Sequence, residues 1–435
     1  MKYKRQDDIP AFLEGEEAAA LRSMSDAFVQ EAVHMSQHYA GCSQHPQLID
    51  ANRWKRVSTF RGLAMYRERR LPWKRGSTRK LGTRLAASDS DSDVDGNDHS
   101  KLLPASLLVG TFPGDLESVM FGLQSSTEDA TRLRASYIGD SLVDERVLAL
   151  PLESPSFEDP LRSCTLRWRG LRGGASSSLF TPLAGARAKE TVYIEATGLT
   201  HLSTGERVGY ELLHSVDIAG FRGVRRGRPQ AKISYCYVYR QPSPDVMEVF
   251  MLGSSTRDGV VLGGAMTKMT SLHRLIQCAE RKKLGWLLSA SKPTLSHAKA
   301  GGCCAECFRA FGRWPRRAER QCSACDERVC AGCTVYRSMR FALPFRRKVS
   351  RTKLPFCGRC LHRAEETSAV TVAAYEVMEL GDDLELATPT STASLVSLKW
   401  ASQGLDDCKK AVWHPTDGWL AAGDEDDLSM TILGD

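Results

Sequence analysis

Residues 304–333 read CAECFRAFGRWPRRAERQCSACDERVCAGC and contain six of the fourteen cysteines of the chain. These six form three C-x-x-C pairs, and a fourth pair follows shortly after them. Each pair can present two thiolates to a metal ion from a tight turn, and zinc prefers four such ligands in a tetrahedron. The spacing therefore predicts two Zn²⁺ ions, held by Cys304, Cys307, Cys322, Cys325, Cys330, Cys333, Cys357 and Cys360.

Four thiolates per ion leave no open coordination position, so we expect structural sites and no metal catalysis. Metal ligation would replace the large hydrophobic core that a module of about sixty residues cannot build. Cys303 is adjacent to the first pair and spare. The other five cysteines are scattered, and we interpret them as ordinary thiols.

The spacing between the pairs resembles that of the FYVE zinc finger family. Fourteen residues separate the first two pairs and four separate the second and third. Phe311 and the dipeptide Arg328-Val329 stand where that family has an aromatic residue and an arginine-valine pair. The resemblance implies that pairs one and three hold one zinc and pairs two and four the other. It also implies binding of phosphatidylinositol 3-phosphate, or of another anionic membrane lipid.

The basic run of that family is altered here. Neither histidine precedes Cys322, and Ser323 follows it where an arginine is usual. A phosphate group needs several converging charged donors. Of the family's headgroup ligands only Arg328 stands at its place, and Arg316, Arg317 and Arg320 are candidate ligands displaced nearby.

Aromatic residues near these bases are candidates for membrane contact, because aromatics beside Lys and Arg suit an anionic interface. They are Trp314, Phe341 and Phe345. The alternative is that the aromatics pack under the zinc scaffold and the arginines are merely solvated.

The region before the cysteines alternates between helical and strand patterns. Apolar residues recur at helical steps from Leu13 to Tyr39, two short strands follow in a hairpin, and a helix pair begins near Asp115. Several strand-like runs then lead to a helix from Gly263 to Leu288 with a broad apolar stripe. This order predicts an α+β fold.

The same layout resembles the START-like, helix-grip family over residues 13–288. The resemblance implies a curved antiparallel sheet that grips a long C-terminal helix and encloses an apolar tunnel for a lipid or sterol. His214 or Arg167 would orient a headgroup there, or else lie on the outer face. A core filled by its own side chains is the alternative.

Composition shifts give the domain boundaries. We predict an N-terminal extension over 1–12 and a disordered insertion, rich in Ser and Asp, over 72–101 within the START-like domain. A linker covers 289–302, the FYVE-type finger 303–364, and an acidic, mostly disordered tail 365–435, in which VAAYEVMEL has a helical pattern.

The formal net charge of +7 is unevenly distributed. Residues 53–84 carry twelve Lys or Arg and one acid, and residues 337–353 carry seven bases and no acid. Neither stretch has a helix-turn-helix or base-reading geometry, so nucleic-acid contact would be nonspecific and salt-sensitive. We therefore predict no specific nucleic-acid partner.

Signals for secretion, membrane spans and catalysis are missing from the sequence. The charged N-terminus lacks the apolar core of a secretory signal, and no apolar run of about 18 residues exists. There is no nucleophile elbow, phosphate loop or H-E-x-x-H pattern. We predict a non-enzymatic adaptor that is cytoplasmic and peripheral on endosomal or other membranes. A RING-like ubiquitin ligase and a protein-interaction module without lipid binding are the alternatives.

Overall fold

The computed structural model describes residues 15–43, 45–69, 104–139, 147–171, 189–217, 232–255, 265–290, 302–312, 318–343 and 348–385. These residues fall within one compact unit that spans Met1–Ser391. Four predicted segments lie wholly or mostly outside the described residues: the extension 1–12, the insertion 72–101, the linker 289–302 and the tail beyond 385.

The part of the chain before the cysteines is α+β. Its described elements are α1 (Glu16–Gln37), a 3₁₀ turn (Pro46–Leu48), β1 (Trp54–Phe60), β2 (Leu63–Glu68), β3 (Ser106–Pro113), α2 (Leu116–Leu123), α3 (Glu128–Ile138), β4 (Val147–Glu153), β5 (Ser163–Leu171), β6 (Lys189–His201), β7 (Arg207–Ser215), β8 (Ile233–Ser243), β9 (Val246–Ser255) and α4 (Ala265–Ala290). The predicted helix pair, hairpin and long final helix are all confirmed.

These strands form one antiparallel sheet in the order β1-β2-β3-β9-β8-β7-β6-β5-β4 among the described residues. β3 pairs with β9 from Ser106↔Gly253 to Pro113↔Val246, which joins the first hairpin to the last strand. The turn between β1 and β2 has φ values of 43° at Arg61 and 85° at Gly62. Positive φ at both central residues gives the turn a twist that matches the twist of the strands.

The two faces of the sheet support two separate cores. In β8, Cys236 and Val238 belong to the core that also contains Val29 and Ala32 of α1. The alternate residues, Ile233, Tyr235, Tyr237 and Tyr239, face the opposite core, which contains residues of α2 and α4. The period of two in ISYCYVYR accounts for this division, because successive side chains of a strand point to opposite faces.

Local signals fix the helices above the second face. The Asp115 carboxylate accepts a hydrogen bond of 2.8 Å from the Ser118 amide and caps α2. Thr127 caps α3 in the same way through the Ala130 amide, and Gly139 ends that helix with φ 74°. Gly122 of α2 permits a close crossing with α4, because a Cβ there would collide with the Leu275 carbonyl oxygen.

The cysteine-rich module, residues 303–364, contains four described strands and most of one helix. Its elements, with the helix that follows, are β10 (Glu319–Gln321), β11 (Arg328–Cys330), β12 (Val335–Leu343), β13 (Lys348–Phe356), α5 (Gly358–Glu366) and α6 (Ala369–Glu385). α6 contains the VAAYEVMEL pattern and packs on α2 and α4, with Ala369, Val372 and Ala373 in the second core. The first part of the predicted tail is therefore an ordered, docked helix.

The described helices are all too short or too polar to cross a membrane.

Candidate metal centre and internal cavity

The eight paired cysteines come together in two groups of four. One group holds Cys304, Cys307, Cys330 and Cys333, and the other holds Cys322, Cys325, Cys357 and Cys360. Within each group the sulfur atoms lie within 4.8 Å of one another. Each group can hold one metal ion, and the pairs alternate between the groups as the resemblance implied.

The spacing of the sulfur atoms fits a tetrahedral zinc ion. Cys307 Sγ lies 3.9 Å from Cys330 Sγ, and Cys325 Sγ lies 3.7 Å from Cys357 Sγ. A Zn–S bond of about 2.3 Å gives a tetrahedral edge of about 3.8 Å. These separations are far longer than a disulfide bond.

Backbone amides are aimed at the sulfur atoms, as a thiolate requires. The Cys330 amide donates to Cys304 Sγ at 3.2 Å, and the Cys357 amide donates to Cys322 Sγ at 3.3 Å. Such hydrogen bonds favour the charged form of a thiol. Four thiolates would complete the shell of each ion, so the metal would supply folding energy and no reactive position.

The first two cysteine pairs share one turn geometry. The residue after the second cysteine has positive φ in both, 58° at Phe308 and 59° at Asp326. Its amide donates to the carbonyl of the first cysteine, at 2.9 Å and 3.0 Å. Both cysteine side chains can then point to one side of the turn.

The cysteine-rich module shares a core with the end of α4. Leu284, Leu287 and Leu288 of α4 are 0–3% exposed and belong to the same cluster as the buried cysteines of both groups. Met339 of β12 and Phe356 of β13 complete this cluster. The module is therefore built on the helix that also covers the second face of the sheet.

Arg328 is committed to an intramolecular partner. Its Nε and Nη2 both donate to the carboxylate of Glu319, across the β10–β11 hairpin. Its guanidinium also lies 5.3 Å from the centroid of the Phe311 ring. Arg320 is exposed on β10, whereas the predicted ligands Arg316 and Arg317 lie outside the described residues.

The structure describes one of the three predicted membrane-contact residues. Phe341 is half-buried and packs against the core of the cysteine-rich module. That position matches the alternative in which the aromatics support the zinc scaffold. Trp314 and Phe345 are outside the part of the chain that the structure describes.

A cavity of about 100 Å³ lies between the sheet, α3 and α4. Its apolar wall is formed by Leu123, Ile138, Leu213, Ile233, Leu272 and Leu275, with Tyr193, Tyr235 and Tyr237 from the strands. Four charged side chains also line it: Arg134, Glu195, Glu211 and Lys268.

Two of these four charged side chains, Arg134 and Glu195, form an ion pair with each other. Arg134 donates to both oxygens of Glu195, at 2.5 Å and 3.0 Å, and Arg167 Nε reaches the same carboxylate at 2.8 Å. Arg134 also donates to the Leu123 carbonyl oxygen, at the end of α2. The Glu195 carboxylate with its two guanidinium partners ties β5, β6 and α3 together.

Glu211 and Lys268 are less firmly held. Burial raises the pKa of Glu211 to about 7, although Arg134 opposes the shift. Burial lowers the pKa of Lys268 to about 7 against the attraction of Glu211. The Glu211 carboxylate accepts from the Tyr239 hydroxyl at 3.2 Å.

Of the two polar residues singled out from the sequence, Arg167 lies inside beside the cavity and His214 does not. His214 faces α1, where its ring lies 4.3 Å from that of Phe28 and its Nδ1 is 2.9 Å from Ser234 Oγ. Sequence reasoning missed Arg134, Glu195, Glu211 and Lys268. Acids inside otherwise apolar strand runs, as in TVYIEATGL, were the available signal for the two glutamates.

No protein-family profile matches the chain, and no curated protein matches it significantly. Human STARD10 aligns at 8% identity and a TM-score of 0.32, over 54% of this chain and 77% of that chain. The lipid transfer and protein localization domain of human StarD13 aligns at 11% identity and 0.30, over 55% and 94%. Human StAR-related lipid transfer protein 5 aligns at 12% identity and 0.29, over 57% and 96%. Likeness at these TM-scores assigns neither a family nor a function.

Proposed function

We propose that this protein is a non-enzymatic, zinc-binding adaptor. A START-like, helix-grip domain would hold an amphiphilic ligand, and a FYVE-related module would contact membranes or proteins. The observation that carries the proposal is the cavity under α4, where apolar walls enclose a small set of charged groups. Ligand sites have this composition, with apolar walls for affinity and few polar groups for orientation.

The cavity volume limits what can be bound without movement. About 100 Å³ is below the roughly 300–1,000 Å³ of ligand sites for drug-sized molecules. It accommodates the polar end of an amphiphile, and the chain of a lipid or a sterol would need α4 to move away from the sheet. The cysteine-rich module holds the C-terminal end of α4, so it would set how far that helix can move.

The module's outward role is contact with anionic membranes or with proteins, in the cytoplasm and peripherally on endosomal or other membranes. Selective recognition of phosphatidylinositol 3-phosphate is less well supported than general contact with anionic membranes, because the Arg328 guanidinium already pairs with Glu319. General attraction to anionic lipid remains, through the exposed bases of β13 such as Arg351.

Native mass spectrometry of the full-length protein tests the proposal. We expect the mass of the chain with two zinc ions and an organic adduct, which extraction would identify. Ser271→Phe fills the cavity and should remove the adduct while both metals stay. Gln277→Phe, on the exposed side of the same helix, is the matched control and should keep the adduct.

The small volume also favours one alternative, an interaction module whose interior is simply filled. A wild-type protein that carries zinc but no adduct, and takes up none from mixed lipid vesicles, would support that alternative. A ubiquitin-discharge assay then tests directly whether such a module acts as a RING-like ubiquitin ligase.

A further inference from the structure

Lys268 stands apart from the other charged groups that line the cavity. Its Nζ lies 3.0 Å from the centroid of the Tyr235 ring, and no described carboxylate lies within ion-pair distance of it. The face of an aromatic ring attracts a cation but does not neutralise it. When protonated, Lys268 therefore presents to the cavity a positive charge that Glu211 attracts through space but that no described carboxylate contacts directly.

The charged groups described around the cavity carry a net positive charge when Lys268 and Glu211 are both charged or both neutral. Arg134, Arg167 and Glu195 sum to one positive charge when all three are ionised. Lys268 and Glu211 together add nothing to this sum when both are charged, or when a proton has passed from Lys268 to Glu211 and both are neutral. One negative charge from a ligand would balance the described groups around this space.

We infer that the cavity is a site for a carboxylate-bearing amphiphile, whose carboxylate pairs with Lys268 and whose hydrocarbon lies on the apolar wall. This inference rests on the proposed function, because it names the class of ligand for the same cavity. The wall next to Lys268 comes from α3, β7, β8 and α4, through Ile138, Leu213, Ile233, Leu272 and Leu275.

The polar groups favour a carboxylate over a phosphate. A phosphate monoester carries close to two charges and needs several donors for its oxygens. The Nη atoms of Arg134 donate to Glu195 and to the Leu123 carbonyl oxygen. Those of Arg167 donate to Thr131 and Ser125, and the Tyr235 hydroxyl donates to Ser255 Oγ at 2.9 Å. One lysine and about 100 Å³ suit a compact headgroup with a single charge.

Size gives the length of a suitable probe. An apolar cavity of about 150 Å³ can hold benzene, so the present space accommodates a headgroup and a few methylene groups. Hexanoate and 1-hexanol have the same chain and differ in the charge of the headgroup. A comparison of the two isolates the contribution of Lys268.

Saturation-transfer NMR on the full-length zinc-loaded protein measures both probes. We expect the wild type to bind hexanoate at least about tenfold more tightly than 1-hexanol. Lys268→Met should abolish that preference and leave 1-hexanol binding unchanged. Lys232→Met removes an exposed lysine that pairs with Asp217, and it should keep the preference.

Lys268→Met removes a buried charge, so we expect it to fold, and circular dichroism melting checks this. Equal binding of both probes by the wild type would overturn the inference while the proposed function stands. A preference for hexanoate that survives Lys268→Met would overturn it too. Binding of neither probe would contradict the proposed function itself.

Discussion

Arg328 and Glu319 form a two-point ion pair across the β10–β11 hairpin of the cysteine-rich module. The guanidinium lowers the pKa of Glu319 below its usual value, so the acid stays ionised. To bind Arg328, a lipid phosphate would have to displace this carboxylate. The residue that best matches the phosphoinositide-binding pattern is thus occupied by a neighbour on its own hairpin.

Replacement of Glu319 should therefore increase attraction to anionic lipid. We expect Glu319→Gln to bind vesicles with 3-phosphoinositide about two- to tenfold more tightly than the wild type, because Arg328 gains a free guanidinium. Vesicle co-sedimentation at low and moderate salt measures the change. Glu327→Gln removes an exposed acid of the same module that does not pair with Arg328, and an equal gain in that variant would reduce the effect to net charge.

Loss of one metal site should loosen α4 as well as the cysteine-rich module. Cys357→Ser removes a ligand of one group, and we expect the zinc content to fall from two ions to one. Because Leu284, Leu287 and Leu288 share the core of the module, the C-terminal half of α4 should exchange its amide hydrogens faster. Zinc analysis and hydrogen-exchange mass spectrometry measure the two effects.

Cys303→Ser is the matched control, because Cys303 is exposed and belongs to neither group. It should keep both ions and the exchange pattern of the wild type. Faster exchange confined to the cysteine-rich module in Cys357→Ser would show that α4 does not depend on the metal.

The metal groups could be predicted from the sequence because their chemistry is local. Two cysteines three positions apart fix a turn, and four such turns leave few ways to build closed tetrahedra. The α+β class and the face of β8 followed from periodicity in the same way. These features depend on residues that are near one another along the chain.

The polar interior of the cavity depends on distant residues and could not be predicted in this way. Arg134 lies in α3 and Glu195 in β6, sixty-one positions apart, and only the folded chain brings them together. Arg134 has a sequence context like that of an ordinary exposed helical arginine. The docking of α6 was missed for a related reason, since its short apolar pattern has no partner within the tail.

Docking of α6 depends on a few buried side chains. Val372 is fully buried and Thr371 is exposed, and the Tyr375 ring lies 5.8 Å from that of Trp286 in α4. Val372→Asp would bury an unpaired charge and should cost roughly 2–4 kcal/mol, enough to release the helix. Limited proteolysis should then cut within residues 369–385, whereas Thr371→Asp should stay protected. Equal protection of both variants would show that this contact contributes little.

The buried ion pairs of Glu195 should be far more sensitive than a surface pair. Glu195→Gln removes the carboxylate that pairs with both Arg134 and Arg167, and we expect a loss of about 3–5 kcal/mol in unfolding free energy. Glu153→Gln breaks a pair at the surface, where the Glu153 side chain is 34% exposed and that of Arg162 is 36% exposed. This substitution should cost less than about 1 kcal/mol. Denaturant titration compares them, and similar losses would contradict the assigned roles.

His214 should make the fold sensitive to acid. Burial lowers its pKa from 6.5 to about 4, with Asp217 opposing and Lys232 adding to the shift. The unfolded chain binds the proton more readily than the folded chain. The contribution of His214 to stability is therefore fully present above pH 6.5 and is lost as the pH falls through about 4. The whole loss is about 3 kcal/mol. His214→Gln should flatten this part of the profile in denaturant titrations, whereas His201→Gln, at an exposed position of β6, should retain the wild-type slope. A wild-type profile that matches His214→Gln between pH 6.5 and 4 would mean that His214 is protonated as easily in the folded chain as in the unfolded one.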